Sequence, residues 1–185
     1  MEKKKVPISK DDIYDEIIKK YATKFLLDWL KIKAQIKVES DFIFSAKSKV
    51  GAIGLMQIMP KTNEWLNNID KERKIKEEEL FEPDNNIYRG CFYMHWLMNK
   101  LNKYNDNEKY VWELALASYN CGLGNVQKAI NKYLEKNKNA LNIFWNDIKN
   151  YLPSETMSEA SKKQVIDYVA KIKKVYEEYK RKYNV

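Results

Sequence analysis

The sequence predicts an all-α domain, or an α domain with a minimal β element. Three observations carry this. Apolar residues recur every three or four positions in segment after segment, no run shows convincing period-two alternation, and Ser, Asp, Asn, Gly and Pro fall where helices would start and stop. At 185 residues the chain is most simply one domain, long enough to bury about 70% of the surface its unfolded form exposes and so to hold a core without staples. Residues 1–13 read as an N-terminal extension and 14–185 as the domain.

Ser9-Lys10-Asp11-Asp12 has the form of a helix start, with Ser9 or Asp11 as cap and acidic residues in the first turn. Ile13, Ile17, Ile18 and Tyr21 follow at helical spacing. A second helix is expected over 24–40, with Leu26, Leu27, Leu30, Ala34 and Val38 along its apolar stripe. Glu39 falls at its C-terminal end, where the helix dipole disfavours a charged carboxylate. Ser45, Ser48, Gly51 and Gly54 mark a loop or tight irregular segment. Pro60 suits a first helical turn, and Trp65 and Leu66 are expected on the buried face of the helix it opens. Residues 70–79 are charged and read as an exposed connection or short solvent-facing helix.

Beyond Glu82–Asn86, the spacing of Ile87, Cys91, Met94, Leu97, Met98 and Leu101 predicts a long helix. Tyr110 to Tyr119 predicts another, broken at Asn120–Asn125. Further helices are expected over 126–134, 143–151 and 165–179. The polar stretch 136–139 is the nearest thing to a linker, and no internal repeat stands out.

Thirty-four Lys and Arg against 26 Asp and Glu give a formal charge of +8. This suits a polyanionic partner such as a nucleic acid, an anionic membrane surface or a cell wall carrying carboxylates. The positive residues are mostly isolated, with short clusters at Lys3-Lys4-Lys5, Lys162-Lys163 and Lys180-Arg181-Lys182, so a solvated basic surface is the plainer reading. They form neither one stripe nor a reading motif, and no nucleic-acid partner is expected. The first nine residues lack a following apolar run, so no signal peptide is expected, and no stretch approaches membrane-spanning length. Cys91 and Cys121 are too few for a disulfide scaffold and read equally as free thiols or one bridge. His95, four residues after Cys91, is one ligand of at most two where a closed zinc site needs four; neither metal nor cofactor is expected. Trp29, Trp65 and Trp112 are expected in the core rather than as sugar platforms.

Three ordered blocks carry more. The first is Glu39-Ser40-Asp41-Phe42 with Ser45, Ala46 and Ser48, then Gly51-Ala52-Ile53-Gly54-Leu55-Met56-Gln57-Ile58-Met59-Pro60-Lys61-Thr62. The second is Phe81-Glu82-Pro83 with Asn86-Ile87 and Gly90. The third is Ala115-Leu116-Ala117-Ser118-Tyr119-Asn120-Cys121-Gly122-Leu123-Gly124-Asn125-Val126, followed by Leu152-Pro153-Ser154-Glu155-Thr156 and Tyr168-Val169. Together they resemble the catalytic domain of the soluble lytic transglycosylase family, related to goose-type lysozyme. The resemblance implies a lysozyme-like single domain with a glycan-binding groove, acting on peptidoglycan glycan strands at the β-1,4 bond between N-acetylmuramic acid and N-acetylglucosamine. It implies Glu39 as catalytic acid/base, Tyr168 as the tyrosine approaching it, Ser48, Met56 and Gln57 as groove residues, and Tyr119 and Asn120 beside the cleavage point. A monomer acting in the periplasm or at the cell wall is expected, without stable membrane insertion; a phage or secretion-apparatus setting is equally compatible.

Three departures from the family pattern matter. Asp41 stands where the family commonly has glycine, Cys121 replaces the usual alanine, and Met157 to Asp167 separates Thr156 from Tyr168. The last leaves Tyr151 and Tyr176 as alternatives to Tyr168.

The residue types suit the chemistry. A free glutamic acid has a pKa of about 4.3, and burial against apolar groups raises a carboxyl to about 6, leaving a protonated fraction able to act as acid. Val38, Phe42, Leu55 and Met56 are the expected apolar neighbours of Glu39. A conventional glycosidase needs a second carboxylate about 5–9.5 Å away. Asp41 is the local candidate, but an i,i+2 pair on a helix diverges, and a helix-end aspartate is the plainer reading. The family resemblance instead implies one carboxyl acting twice, with the 6-hydroxyl of muramic acid closing a 1,6-anhydro ring. A water-dependent muramidase and an inert peptidoglycan-binding module are the alternatives.

Overall fold

The computed structural model describes residues 9–105 and 107–185; the Lys3-Lys4-Lys5 cluster and most of the expected N-terminal extension lie outside the described residues. The chain forms two compact units, Met1–Cys91 with Glu178–Val185, and Phe92–Glu177. Eight α-helices, four short 3-10 turns and two isolated β-bridges make up its regular structure among the described residues. The all-α expectation with a minimal β element therefore holds.

In the first unit, a 3-10 turn at Lys10–Asp12 precedes α1 (Asp15–Lys24), α2 (Trp29–Ser40) and α3 (Pro60–Ile69). Helix α2 starts at Trp29 rather than 24, because Asp28 caps it: Leu30 N–H donates to the Asp28 carboxylate at 2.8 Å. Leu26, expected on the apolar stripe, takes a left-handed φ of 55° and is 81% exposed. Pro60 occupies the first turn of α3 as expected, with Leu66 buried. Trp65 instead is 36% exposed, so it is no core residue.

The charged stretch 70–79 is more than an exposed connection. Asp70 and Ile75 are buried. Asp70 accepts the N–H groups of Glu72 (2.9 Å) and Arg73 (3.2 Å) with one oxygen, and pairs with buried Arg89 at 3.1 Å with the other. Arg89 also donates to Asn67 and to the Arg73 carbonyl. A buried guanidinium needs such partners, and the stretch supplies them.

A second ionic cluster joins both ends of this unit. Lys33 of α2 is fully buried; its ammonium donates to Asp12 (2.8 Å), Asp15 and the Tyr183 hydroxyl (2.6 Å). The Tyr183 hydroxyl in turn donates to Asp12 at 2.8 Å, and Tyr179 donates to Asp11 at 2.9 Å. Lys182 and Lys33 hold the Asp12 carboxyl well below the usual carboxylate range.

Helix α4 (Pro83–Leu101) and the long α8 (Glu159–Tyr183) contribute residues to both units. The second unit also holds α5 (Glu108–Cys121), α6 (Leu123–Lys136) and the short α7 (Trp145–Ile148), with α6 packed on α5 and α7. Trp112 is buried, as expected, and meets Tyr176 edge-on at 5.3 Å. The helix expected over 143–151 shrinks to α7 and a 3-10 turn, Lys149–Tyr151. Its start is diverted because Ile143 N–H donates to Tyr104 O at 2.8 Å and Ile143 O accepts from Asn105 at 3.1 Å.

Candidate functional site

Glu39 is the penultimate residue of α2 and is half-buried. The helix ends there because Asp41 is left-handed (φ 51°, ψ 40°), its N–H still reaching Lys37 O, and Phe42 follows at φ 60°. Two consecutive non-glycine residues in this region are strained, a feature that clusters at functional sites. Asp41 offsets part of that cost with ion pairs to Lys10 and Lys37, both 2.7 Å. Hydrogen bonds from these two lysines hold its carboxyl at about 2. It is a helix-end aspartate engaged on the surface.

The residue between them, Ser40, is buried. Its hydroxyl donates to Leu55 O at 2.8 Å, stitching the end of α2 to the glycine-containing loop. Of the expected apolar neighbours of Glu39, Phe42, Leu55 and Met56 are buried and Val38 is half-buried.

The loop is a small irregular scaffold. Ser48 N–H donates to Ala52 O and its hydroxyl accepts from Ala52 N–H, both 2.9 Å; Gly51 completes the turn at φ +93°. Bridges pair Lys47 with Ile53 and Ile53 with Ile58. Gly54 also has positive φ (+77°), and a Cβ there would lie 2.2 Å from the Asn86 amide nitrogen and 2.6 Å from Leu80 O. Met56 is fully buried, and a Cβ on Gly90 would lie 2.1 Å from its sulfur. Gln57 is left-handed (φ 47°) and half-buried, with its amide nitrogen on Gly54 O (2.9 Å) and Ala46 O (3.3 Å).

One segment and its supports thus gather Glu39, Ser48, Met56 and Gln57 within the first unit. Tyr119, Asn120 and Tyr168 belong to the second. Tyr119 and Asn120 are half-buried at the end of α5, where Gly122 (φ +89°) stops the helix. Tyr119 lies against Tyr93 with ring centroids 5.0 Å apart. Asn125 donates to Cys121 O at 2.7 Å and accepts from the Thr156 hydroxyl at 2.7 Å, so the Leu152–Thr156 block meets the Gly122–Asn125 turn. Tyr168 is 7% exposed on α8. Of its alternatives, Tyr176 lies against Trp112 and Tyr151 against Tyr133.

Both cysteines are free thiols; burial pushes Cys121 up to about 12 and Cys91 higher still. His95 shares a 2.8 Å hydrogen bond with Asn99. Among the described residues no group of three or more His, Cys, Asp or Glu is placed to hold a metal, and no helix is long and apolar enough to cross a membrane.

Sequence reasoning does not single out two of the supports. Ser40 and Asn86 both sit inside the quoted blocks, yet a small polar residue within a motif reads as surface until its buried partners are known.

Residues 16–142 match the family model described as the transglycosylase SLT domain. Among curated proteins, the chain is 28% identical over 177 residues to the membrane-bound lytic murein transglycosylase F of Shewanella frigidimarina, covering 88% of this chain and 35% of that protein. It is 29% identical over 140 residues to the protein of the same name from Haemophilus influenzae, covering 76% and 26%. Among solved structures it is similar to an inactive mutant of the lytic transglycosylase Slt of Pseudomonas aeruginosa, with TM-score 0.69, 24% identity and coverage of 93% of this chain and 24% of that one. The 70-kDa soluble lytic transglycosylase in complex with bulgecin A gives TM-score 0.67 at 23% identity, covering 90% and 24%. These structures bear on the fold alone. The chain spans about a third of the length of the first curated relative and about a quarter of these solved chains. The family model covers well over half of the sequence, and the chain belongs to the transglycosylase SLT domain family.

Proposed function

We propose that this chain is a peptidoglycan lytic transglycosylase that cleaves the β-1,4 bond between N-acetylmuramic acid and N-acetylglucosamine, with Glu39 as its single acid/base. The observation that carries the reading is the end of α2. Glu39 stands half-buried where the helix dipole disfavours charge, next to a serine bonded to the Gly51–Gln57 loop, while the neighbouring Asp41 carboxylate is drawn onto Lys10 and Lys37. Both Asp41 oxygens are taken up at the exposed helix end, Oδ2 by Lys10 and Oδ1 by Lys37, so this ionised carboxylate is engaged in surface ion pairs rather than serving as the second carboxyl of a conventional pair.

One carboxyl then serves both halves of the reaction. The Glu39 proton passes to the glycosidic oxygen as the C1–O bond of the muramic acid breaks, releasing the N-acetylglucosamine hydroxyl. The muramic acid 6-hydroxyl oxygen attacks C1, and its proton returns to the Glu39 carboxylate. Atoms balance without water, and the product carries a 1,6-anhydro end. In this reading Ser48 and Gln57 contact sugar, Met56 underlies that part of the groove, Tyr119 and Asn120 flank the scissile bond, and Tyr168 orients Glu39. The domain is residues 14–185, working as a monomer on periplasmic or cell-wall glycan.

The test is mass spectrometry of digested murein beside Glu39→Gln. The wild type is expected to release muropeptides lighter by one water than reducing-end products, and folded Glu39→Gln to lose at least 1,000-fold in rate, about 4 kcal/mol of barrier. Reducing-end products would identify a water-dependent muramidase, and near-normal turnover by the folded mutant would remove Glu39 from its role.

A further inference from the structure

Asn86 stands outside the residues assigned to the reaction, yet both ends of its side-chain amide are engaged in hydrogen bonds. It is 1% exposed at the start of α4. Its carbonyl oxygen accepts Met56 N–H at 2.7 Å, and its amide nitrogen donates to Ile53 O at 2.9 Å and Leu80 O at 2.7 Å. The orientation follows from chemistry: one neighbour is an N–H and two are carbonyls, which only this placement of oxygen and nitrogen can satisfy. Gly54 is the residue that lets the amide come so close, since a Cβ there would overlap it. One turn along α4, Gly90 receives the Met56 side chain. The first turns of α4 thus clamp residues 53–56 through both backbone and side chain.

The residue immediately after the clamp is Gln57. Its backbone is left-handed, and both protons of its amide nitrogen face carbonyls, Gly54 O and Ala46 O. Those contacts leave the carbonyl oxygen as the group the side chain can offer to a ligand. We propose that Asn86 is a positioning residue that fixes Gln57 as a hydrogen-bond acceptor, so that this part of the groove selects a sugar N–H or O–H donor. The inference rests on the reading that Gln57 meets glycan. Wrongly oriented, the amide would present N–H groups instead, and a ligand lacking the matching donor would leave the acceptor unpaired.

Asn86→Asp keeps the acceptor for Met56 N–H but replaces both donors with an oxygen facing two carbonyls. The test has a part that needs no activity. In 15N-labelled protein, the Gln57 side-chain NH2 is expected to exchange slowly with solvent, and at least tenfold faster in Asn86→Asp below its melting temperature. On soluble uncross-linked glycan strands, Asn86→Asp is expected to raise KM about tenfold with a smaller change in kcat. In a Gln57→Leu background the same substitution should change KM less than twofold, because its route through Gln57 is gone. Equal NH2 protection in both proteins, or the same KM increase with Gln57→Leu present, overturns the proposal. Asn86→Ser, which retains one donor and an acceptor, replaces Asn86→Asp if that variant does not fold, with the same expected direction. Failure of the cleavage reading shows separately, as wild-type protein with a protected Gln57 amide and no glycan turnover.

Discussion

Asp41 ends α2 in the left-handed conformation, at φ 51° and ψ 40°. Glycine is the usual choice for a left-handed helix end because it has no Cβ to crowd the following carbonyl. Here an aspartate takes that conformation and recovers stability through Lys10 and Lys37. Its depressed pKa fixes the sign of the pH effect: an unfolded aspartate titrates near about 3.9, so the ion pairs contribute fully above that pH and are lost as pH falls toward about 2. The side chain is more than half exposed, so the contribution is small, about 0.5–1 kcal/mol. Asparagine tolerates the same left-handed backbone. Asp41→Asn is therefore expected to keep murein-digesting activity within about twofold, and its melting temperature should vary less with pH between about 2 and 4 than that of the wild type. Thermal melts across that range, paired with muropeptide release at neutral pH, check both statements; a mutant as inactive as Glu39→Gln would restore a two-carboxylate mechanism.

At the scale of elements, the Lys33 cluster binds the segment before α1, α2 itself and the last turns of α8. Since Glu39 lies at the far end of α2, the cluster anchors the helix that carries the proposed acid. Removing the ammonium leaves Asp12 and Asp15 with one cationic partner fewer in a site where Lys33 is fully buried. Lys33→Met should cost about 3 kcal/mol by urea denaturation, the lower end for breaking a buried pair. The loss should shrink at low pH, where Asp12 protonates and no longer needs its cation. A cost below about 1 kcal/mol would mean that Lys182 and Tyr183 suffice. Sequence periodicity reveals α1, α3, α4, α5, α6 and α8 because their buried faces repeat at helical spacing. It overextends α2 and misses the true length of α7, since a left-handed Leu26 and the Ile143 backbone pairing with Tyr104 depend on partners far along the chain. Lys33 reads as one more surface lysine for the same reason: its acids lie 18 to 21 residues away and its tyrosine 150.

At the scale of the whole molecule, the blocks around Glu39, Asn86 and Tyr119 are legible because their order along the chain is specific, whereas the supports that orient them are not, because a buried hydrogen bond leaves no pattern in sequence. The net charge of +8 has a consequence of its own. Many acids of the first unit are already engaged by lysines, as at Asp11, Asp12, Asp15, Asp41 and Asp84, so the excess cations are the ones available to a polyanionic cell wall. Such attraction acts over about 10 Å at 0.1 M salt and about 3 Å at 1 M. Capture of the chain by insoluble peptidoglycan is therefore expected to fall several-fold between about 0.05 and 0.5 M salt, since exposed charges are largely screened over that range. The proposed glycan site is expected to contribute a second, salt-resistant part. Folded Glu39→Gln should retain capture at both salt concentrations while releasing no product, and a soluble glycan oligomer should compete away only the fraction that survives high salt. Capture independent of salt would assign the basic surface no part in binding, and complete loss at the higher salt concentration would leave the groove without measurable affinity for the intact wall.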